Sequence, residues 1–194
     1  MGKDKKITPV QQYNIDIIRK YRLELNISAT ELSIGIKRNP TYIGHIESLQ
    51  SDFFYSDQVM NDVANYLTLV AQERQDDLKS KGIRKKIKTE YTIHDFYPKK
   101  PLPDVKQLKT IDPIPKGSGP SVTLNAVIET GNFFDVPRRL KEIVSYCNEL
   151  QNHQWLGSDF TQTLDRALRK GGLERVPLEG DFVAYVKPRK EKKD

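Results

Sequence analysis

Hydrogen-bonding side chains follow two cations in the stretch KRNPTYIGH, residues 37–45. Amide, hydroxyl and imidazole groups bond to base edges, and neighbouring Lys and Arg side chains attract phosphate. A short helix that exposes Thr41, Tyr42, Gly44 and His45 would have the dimensions to enter a major groove, with its first residues at base edges. The residues that we predict to contact DNA here are Lys37, Arg38, Asn39, Pro40, Thr41, Tyr42, Gly44 and His45.

A second set of suitable side chains lies nearer the other end of the chain. Gln162, Arg166 and Arg169 recur at helical spacing, and Gln and Arg can form paired hydrogen bonds with adenine and guanine edges. Asp159 and Asp165 lie close to them in sequence and repel phosphate. Two alternatives therefore remain for these three residues. They contact DNA, or their helix serves in dimerisation or protein docking.

Other kinds of site find no support in the sequence. It has no Gly-rich phosphate loop, nucleophile elbow or His/Cys metal spacing, and its three histidines stand far apart. We therefore predict no enzyme activity, no metal and no cofactor. The one cysteine, Cys147, lies in an apolar helical pattern, which predicts an inert core residue and fits a reducing, cytoplasmic location. No apolar run approaches the length of a membrane span, so no membrane partner is expected.

The first candidate residues must be positioned by short helices. Apolar spacing predicts one helix from about Tyr13 to Asn26, short helices after Ser28 and Asn39, and a longer helix from Ser56 to about Leu78. A capping box at Ser28 and Glu31 begins the second helix. We expect Asn39 to cap the third helix and Pro40 to occupy its first turn. A steep angle between the second and third helices would leave the latter exposed.

These residues resemble a known family. The stretch IIRKYRLELNISATELSIGIKRNPTYIGHIES, followed by DQVMNDVANYL, is similar to the phage-repressor (Cro/repressor-type) helix-turn-helix over about residues 13–70. The shared features are R-x-x-R in the first helix, S-x-x-E-L in the second and Tyr-Ile-x-x-Ile-Glu in the third. The resemblance implies base reading by the third helix, at Asn39, Pro40, Thr41, Gly44 and His45. The chain departs from the family at Ala29, where Gln is common, and at Lys37, where the turn usually has Gly. A helix-turn-helix used only for packing or partner binding is the alternative.

The middle of the chain is basic and rich in proline. The chain has a formal net charge of +6. Residues 79–109 contain 10 Lys and Arg against 3 Asp and Glu, whereas residues 1–78 contain 9 Lys and Arg against 11 Asp and Glu. Residues 79–120 contain six prolines, which predicts an extended linker, although its aromatic part YTIHDFYP is expected to dock elsewhere. Either the linker is a solvated spacer or its basic cluster contacts phosphate without reading sequence; the cluster is Lys81, Arg84, Lys85, Lys86 and Lys88.

The second periodic region predicts three helices and a hairpin. TLNAVIETG, VPRRLKEIVSYCNELQ and SDFTQTLDRALRKGG have helical spacing, with the second beginning near Asp135 and Pro137 and the third opened by Ser158. LERVPLEGDFVAYVKP has two alternating runs around a turn. The elements G-x-F-F-D-x-P (residues 131–137) and L-x-x-G-x-L-x-R (residues 168–175) resemble those of winged-helix domains of bacteria and archaea, over about residues 121–188. The resemblance implies a core at Leu164, Leu168 and Leu173.

Together these patterns predict a mainly α chain with four parts. They are a helix-turn-helix domain of four to five helices at 1–78, the linker at 79–120, a winged-helix domain at 121–188 and a basic tail at 189–194. We expect a sequence-preferring regulator of transcription that binds double-stranded DNA, with a possible homodimer formed through the second module or around Phe96 and Tyr97. The alternative is an adaptor or antitoxin-like protein that binds a protein partner through its helical modules. A hydrolytic effector enzyme is the third possibility.

Overall fold

A computed structural model of the chain describes residues 6–178 and 182–188. The described part is mainly helical, with two small antiparallel sheets. It divides into two compact units, the first ending at Ile111 and the second beginning at Asp112. The hairpin turn at 179–181 and the basic tail predicted at 189–194 lie outside the described residues. Among the helices described, none is long and apolar enough to cross a bilayer.

The first unit is built from four helices. They are α1 (Pro9–Glu24), α2 (Ala29–Gly35), α3 (Tyr42–Ile46) and α4 (Asp57–Ser80), and a 3-10 helix follows at Ile93–Phe96. Side chains from all four helices meet in one core. The apolar positions spaced three and four residues apart are buried, so the helical pattern in the sequence and the packing agree. Strand β1 (Lys6–Ile7) pairs with strand β2 (Gln107–Leu108) to close the unit.

Hydrogen bonds at the helix ends explain where the helices begin and end. The Ser28 hydroxyl accepts from the Glu31 N–H at 3.1 Å and the Glu31 carboxylate accepts from the Ser28 N–H at 2.7 Å, which forms the expected capping box. At the other end of α2, Lys37 has a left-handed backbone with φ of +57°. Its N–H donates to Ile34 O, and the next N–H, of Arg38, donates to Ser33 O. This pair of bonds is the usual helix stop for which glycine is preferred.

Much of the predicted linker belongs to the first unit. Tyr91 and Phe96 are buried in its core, and the backbone N–H of Tyr91 donates to the Thr68 hydroxyl on α4 at 2.9 Å. The Gln75 side chain donates to Lys85 O and accepts from the N–H of Ile87. The prolines and like charges of this stretch prevent a helix but do not prevent packing. Because Phe96 is fully buried, it is not available as the dimer contact that we predicted there.

The segment at residues 107–111, which we call the closing segment, is held at three places. Its strand β2 pairs with β1, and the Gln12 side chain bonds to both the carbonyl (2.8 Å) and the N–H (2.9 Å) of Thr110. The buried ammonium of Lys109 donates to Ser51 O and Phe53 O, in the loop between α3 and α4. The closing segment therefore ties the loop after α3 to the rest of the unit.

The second unit combines three helices with a three-stranded sheet. The helices are α5 (Pro120–Thr130), α6 (Leu140–Gln151) and α7 (Gly157–Arg169), and the strands are β3 (Arg138–Arg139), β4 (Glu174–Pro177) and β5 (Val183–Val186). The sheet is antiparallel with the order β3-β5-β4. Its core includes Leu124, Phe134, Ile143, Cys147 and Phe160.

Two helix starts in this unit differ from the prediction. Helix α6 begins at Leu140 rather than near Pro137, because Arg138 and Arg139 pair with Tyr185 and Ala184 of β5. Helix α7 begins at Gly157. The N–H of Leu156, just before the helix, donates to the Asp159 carboxylate at 2.8 Å, whereas we expected Ser158 to open the helix. The expected core leucines Leu164 and Leu173 are buried, and Leu168 packs against the same core.

Candidate nucleic-acid interface

Helix α3 is fastened to the first unit on its inner side. Ile43 and Ile46 are fully buried in the core. The buried hydroxyl of Ser33, on α2, donates to Ala29 O at 2.8 Å and accepts from the backbone N–H of Ile43 at 3.0 Å. One hydroxyl thus satisfies a carbonyl of α2 and a donor at the start of α3, which fixes the two helices relative to each other.

A buried ion cluster fixes the residue that follows α3. Glu47 accepts from Arg22 Nε at 2.8 Å and from Arg22 Nη2, and Arg19 Nε lies 3.4 Å from its Oε2 atom. The three side chains are at most 5% exposed. Arg22 also donates to Ile27 O at 3.2 Å, ahead of α2. The cluster therefore ties α1, the start of α2 and the end of α3 together. The R-x-x-R pair and the Glu are visible in the sequence, but no local pattern there predicts that they meet.

The outer side of α3 and the turn before it are exposed. Of the eight residues predicted to contact DNA here, seven are exposed and Tyr42 is half-buried. Helix α3 begins at Tyr42, two residues later than expected, because the Asn39 carboxamide oxygen accepts from Thr41 N (3.1 Å) and Thr41 Oγ1 (2.9 Å) instead of capping α3 directly. The Asn39 amide group makes no hydrogen bond to another described residue, so its donors are available to a ligand.

The charge around α3 is positive on the exposed side. Residues 32–46 contain Lys37 and Arg38 and no acidic residue, and the carboxylate of Glu47 is directed to the buried arginines. The guanidinium of Arg38 lies 5.8 Å from the centre of the Tyr42 ring. Lys37 and Arg38 therefore give this surface positive charge that attracts an anion.

The residues of α7 that we predict to contact DNA are less exposed than those at α3. Gln162 and Arg166 are half-buried and Arg169 is exposed. Arg166 Nη2 donates to the Thr163 hydroxyl at 3.3 Å, within its own helix. Asp165, between them, pairs with Arg175 of β4 at 3.3 Å. The three side chains share one helix, but part of their hydrogen-bonding capacity is used inside the unit.

The five predicted phosphate contacts in the basic stretch separate into two groups. Lys81 pairs with Asp77 at 2.7 Å, and Lys88 pairs with Asp95 while lying over the rings of Tyr21 and Tyr91. Arg84, Lys85 and Lys86 are exposed and form no ion pair with a described residue. Three cations, rather than five, are therefore free to contact a polyanion.

The described part of the chain contains few candidates for a metal site or for a nucleophile. Within residues 6–178 and 182–188, no group of three or more His, Cys, Asp and Glu side chains is arranged to hold a metal. Cys147 is fully buried, and this burial raises the pKa of its thiol to about 12. Its thiol is therefore protonated and poorly nucleophilic at neutral pH. His153 stacks on Trp155 with ring centres 4.8 Å apart.

Comparison with protein-family models, with curated proteins and with solved structures finds no match to this chain.

Proposed function

We propose that the chain is a DNA-binding regulator that reads base edges with α3 and the turn before it. The observation that carries the proposal is the asymmetry of α3. Its inner side is held by Ile43, Ile46, the Ser33 hydroxyl and the Glu47 cluster, whereas its outer side presents Asn39, Thr41 and His45 beside two exposed cations. A helix held rigidly on one side and polar on the other is suited to a major groove.

The order of elements in both units supports the same proposal. The sequence α1 to α4, with a tight turn between α2 and α3, is the order expected of a repressor-type helix-turn-helix. In the second unit, a helix, a strand, two helices and a hairpin follow one another, and the first strand pairs with the last. This is the order expected of a winged helix, which would add a DNA contact or a dimer contact.

A selection from random DNA duplexes, followed by mobility-shift measurements on the enriched sequence, tests the proposal. Replacing Asn39, Thr41 and His45 together by Ala should lower the preference for that sequence, by roughly 1–3 kcal/mol for each side chain that bonds well to a base edge. Asn61→Ala with Gln72→Ala, two exposed positions of α4, is the matched control and should leave binding unchanged. Full sequence preference in the triple variant would refute the assignment of α3.

A protein partner is the second candidate function. Two adjacent aromatic side chains in the loop after α3 are exposed, Phe53 by 59% and Phe54 by 48%. Exposed aromatic pairs are typical of protein contacts. If no duplex is enriched at moderate salt, the adaptor function is favoured, and replacing both phenylalanines by Ser should then abolish partner capture.

A further inference from the structure

An open groove lies between the turn that ends α2 and one face of α4. Its volume is about 560 Å³, within the usual range for sites that bind small molecules. One wall comes from the end of α2 and the turn, and the other from residues of α4 spaced three and four apart. The two walls include Ile36, Lys37, Arg38, Asp62, Tyr66 and Leu69.

The two walls offer different chemistry. Lys37 and Arg38 supply two positive charges at one side, and neither forms an ion pair with a described residue. Ile36, the Tyr66 ring and Leu69 supply apolar surface, and Leu69 is 53% exposed although it is a large aliphatic side chain. An apolar surface next to two cations suits a molecule that has one anionic group on an apolar body.

A polyanion fits this groove poorly. Asp62 stands on the α4 wall, where it accepts a hydrogen bond from Gln58 at 3.1 Å. Its carboxylate would repel a chain of phosphates that filled the groove, whereas a single carboxylate at the opposite wall avoids it. The groove is therefore better suited to a single anionic group than to a chain of phosphates.

Lys37 occupies the left-handed position of the helix stop that ends α2. A left-handed backbone is unfavourable for a residue that has a side chain, and two hydrogen bonds of the helix stop maintain it here. Lys37 thus carries a positive charge where glycine would be less strained. Strain of this kind is found at binding sites, where it orders a group before the ligand arrives.

We propose that the groove binds a small organic carboxylate, with its charge on Lys37 and Arg38 and its apolar body against Ile36, Tyr66 and Leu69. The same ligand regulates α3, and this second part rests on the proposed DNA binding. Arg38 belongs both to the groove and to the surface over Tyr42 of α3. A carboxylate that pairs with Arg38 and Lys37 removes their attraction for phosphate, so ligand and DNA weaken each other's binding equally.

Binding is tested on the full chain without DNA. The probe is 4-phenylbutyrate, titrated at millimolar concentration while the backbone amide signals of residues 35–38 and the ring signals of Tyr66 are followed by NMR. We expect saturable shifts confined to the groove. The neutral 4-phenylbutanamide and acetate, which lack the charge and the apolar body respectively, should produce at most weak shifts. No saturable shift with 4-phenylbutyrate, or equal shifts with the amide, would overturn the proposal.

Variants separate the two parts of the site. Lys37→Gly with Arg38→Gln should abolish the shifts without unfolding, because glycine accepts the backbone at position 37 more easily than lysine does. Leu69→Gln, at an exposed position, should also weaken binding. Lys141→Gln, on the exposed surface of α6, is the charge-matched control and should bind the probe normally. Normal probe binding by the Lys37/Arg38 variant would refute the cation contact.

Regulation is tested separately. On the selected DNA sequence, saturating 4-phenylbutyrate should weaken the affinity by about tenfold, in the usual range of coupling between two sites, and the Leu69→Gln variant should lose this effect. Probe binding without an effect on bound DNA would refute the regulatory part alone. Absence of DNA binding in any condition would refute the proposed function and leave the groove assignment to stand on the NMR result.

Discussion

At the scale of single residues, one carboxylate contacts two buried guanidinium groups. Replacing Glu47 by Gln should destabilise the first unit by about 3–5 kcal/mol, because the buried guanidinium groups of Arg19 and Arg22 would then lose the negative charge that they contact. Urea unfolding followed by circular dichroism measures the change. The control is Glu73→Gln, at an exposed site on α4, which should shift the free energy of unfolding by less than about 0.5 kcal/mol. Equal effects of the two substitutions would contradict the role of the ion cluster.

Cys147 gives a second prediction at this scale. Because burial raises its thiol pKa to about 12, the unfolded chain loses the proton at a lower pH than the folded chain. Stability is unaffected below the pKa of the unfolded thiol and falls as the pH rises above it, by about 1.4 kcal/mol per pH unit between about pH 9 and 11.

The thiol effect is isolated by comparison with Cys147→Ala, which removes the titrating group from the same position. The difference in unfolding free energy between the native chain and this variant should be constant near neutral pH and shrink in alkali. At pH 8 a thiol reagent should label the native chain only as fast as the second unit opens. Rapid labelling without denaturant would show that the thiol is accessible.

At the scale of elements, one buried hydroxyl connects α2 to α3 by hydrogen bonds. Ser33→Ala removes the acceptor for the buried N–H of Ile43 and should cost about 1–3 kcal/mol of unfolding free energy. Thr30→Ala, on the exposed side of the same helix, is the control. Both are measured by urea unfolding, and hydrogen exchange of the Ile43 amide should accelerate only in the Ser33 variant. Unchanged exchange there would mean that the hydroxyl does not position α3.

The helices of the first unit could be predicted from the sequence because their signals are local. The capping box at Ser28 and Glu31, and apolar residues three and four positions apart, act within one or two helical turns. The exposed tip of α3 followed from the same signals. The pairing of Arg22 with Glu47, 25 positions away, has no local signal, so the residues that hold the site were recognised only as parts of a motif.

The remaining elements depend on partners distant in sequence. Strand β3 consists of two arginines without alternation, and only its pairing with β5 makes it a strand. The stretch around Tyr91 and Phe96 has the proline and lysine content of a spacer, and its burial is decided by the surface of α1 and α4 that it covers. Composition correctly predicted that this stretch forms no α-helix, but it predicted neither the 3-10 helix at Ile93–Phe96 nor where the stretch packs.

At the scale of the whole molecule, the division after Ile111 predicts how the chain can be cut. A fragment of residues 1–111 should unfold in one cooperative transition. A fragment of residues 1–90 lacks Tyr91 and Phe96, and the loss of each buried aromatic costs about 3–5 kcal/mol, enough to leave it largely unfolded. Thermal unfolding followed by circular dichroism distinguishes the two. A stable, cooperative 1–90 fragment would show that the aromatic stretch is an accessory and not part of the core.

The closing segment has a consequence for the order in which the protein is made. Gln12 and Thr110 form hydrogen bonds with each other across 98 positions in the sequence. Helix α1 therefore lacks one of its hydrogen-bond partners until nearly the whole first unit has left the ribosome. At about 5–20 residues per second, synthesis from the end of α4 to Ile111 takes roughly 2–6 s. During that interval the nascent chain exposes apolar side chains that its own later residues will cover. The binding of chaperones to the nascent chain should therefore be strongest just before the closing segment emerges from the ribosome. It should fall once Lys109 has reached the loop after α3.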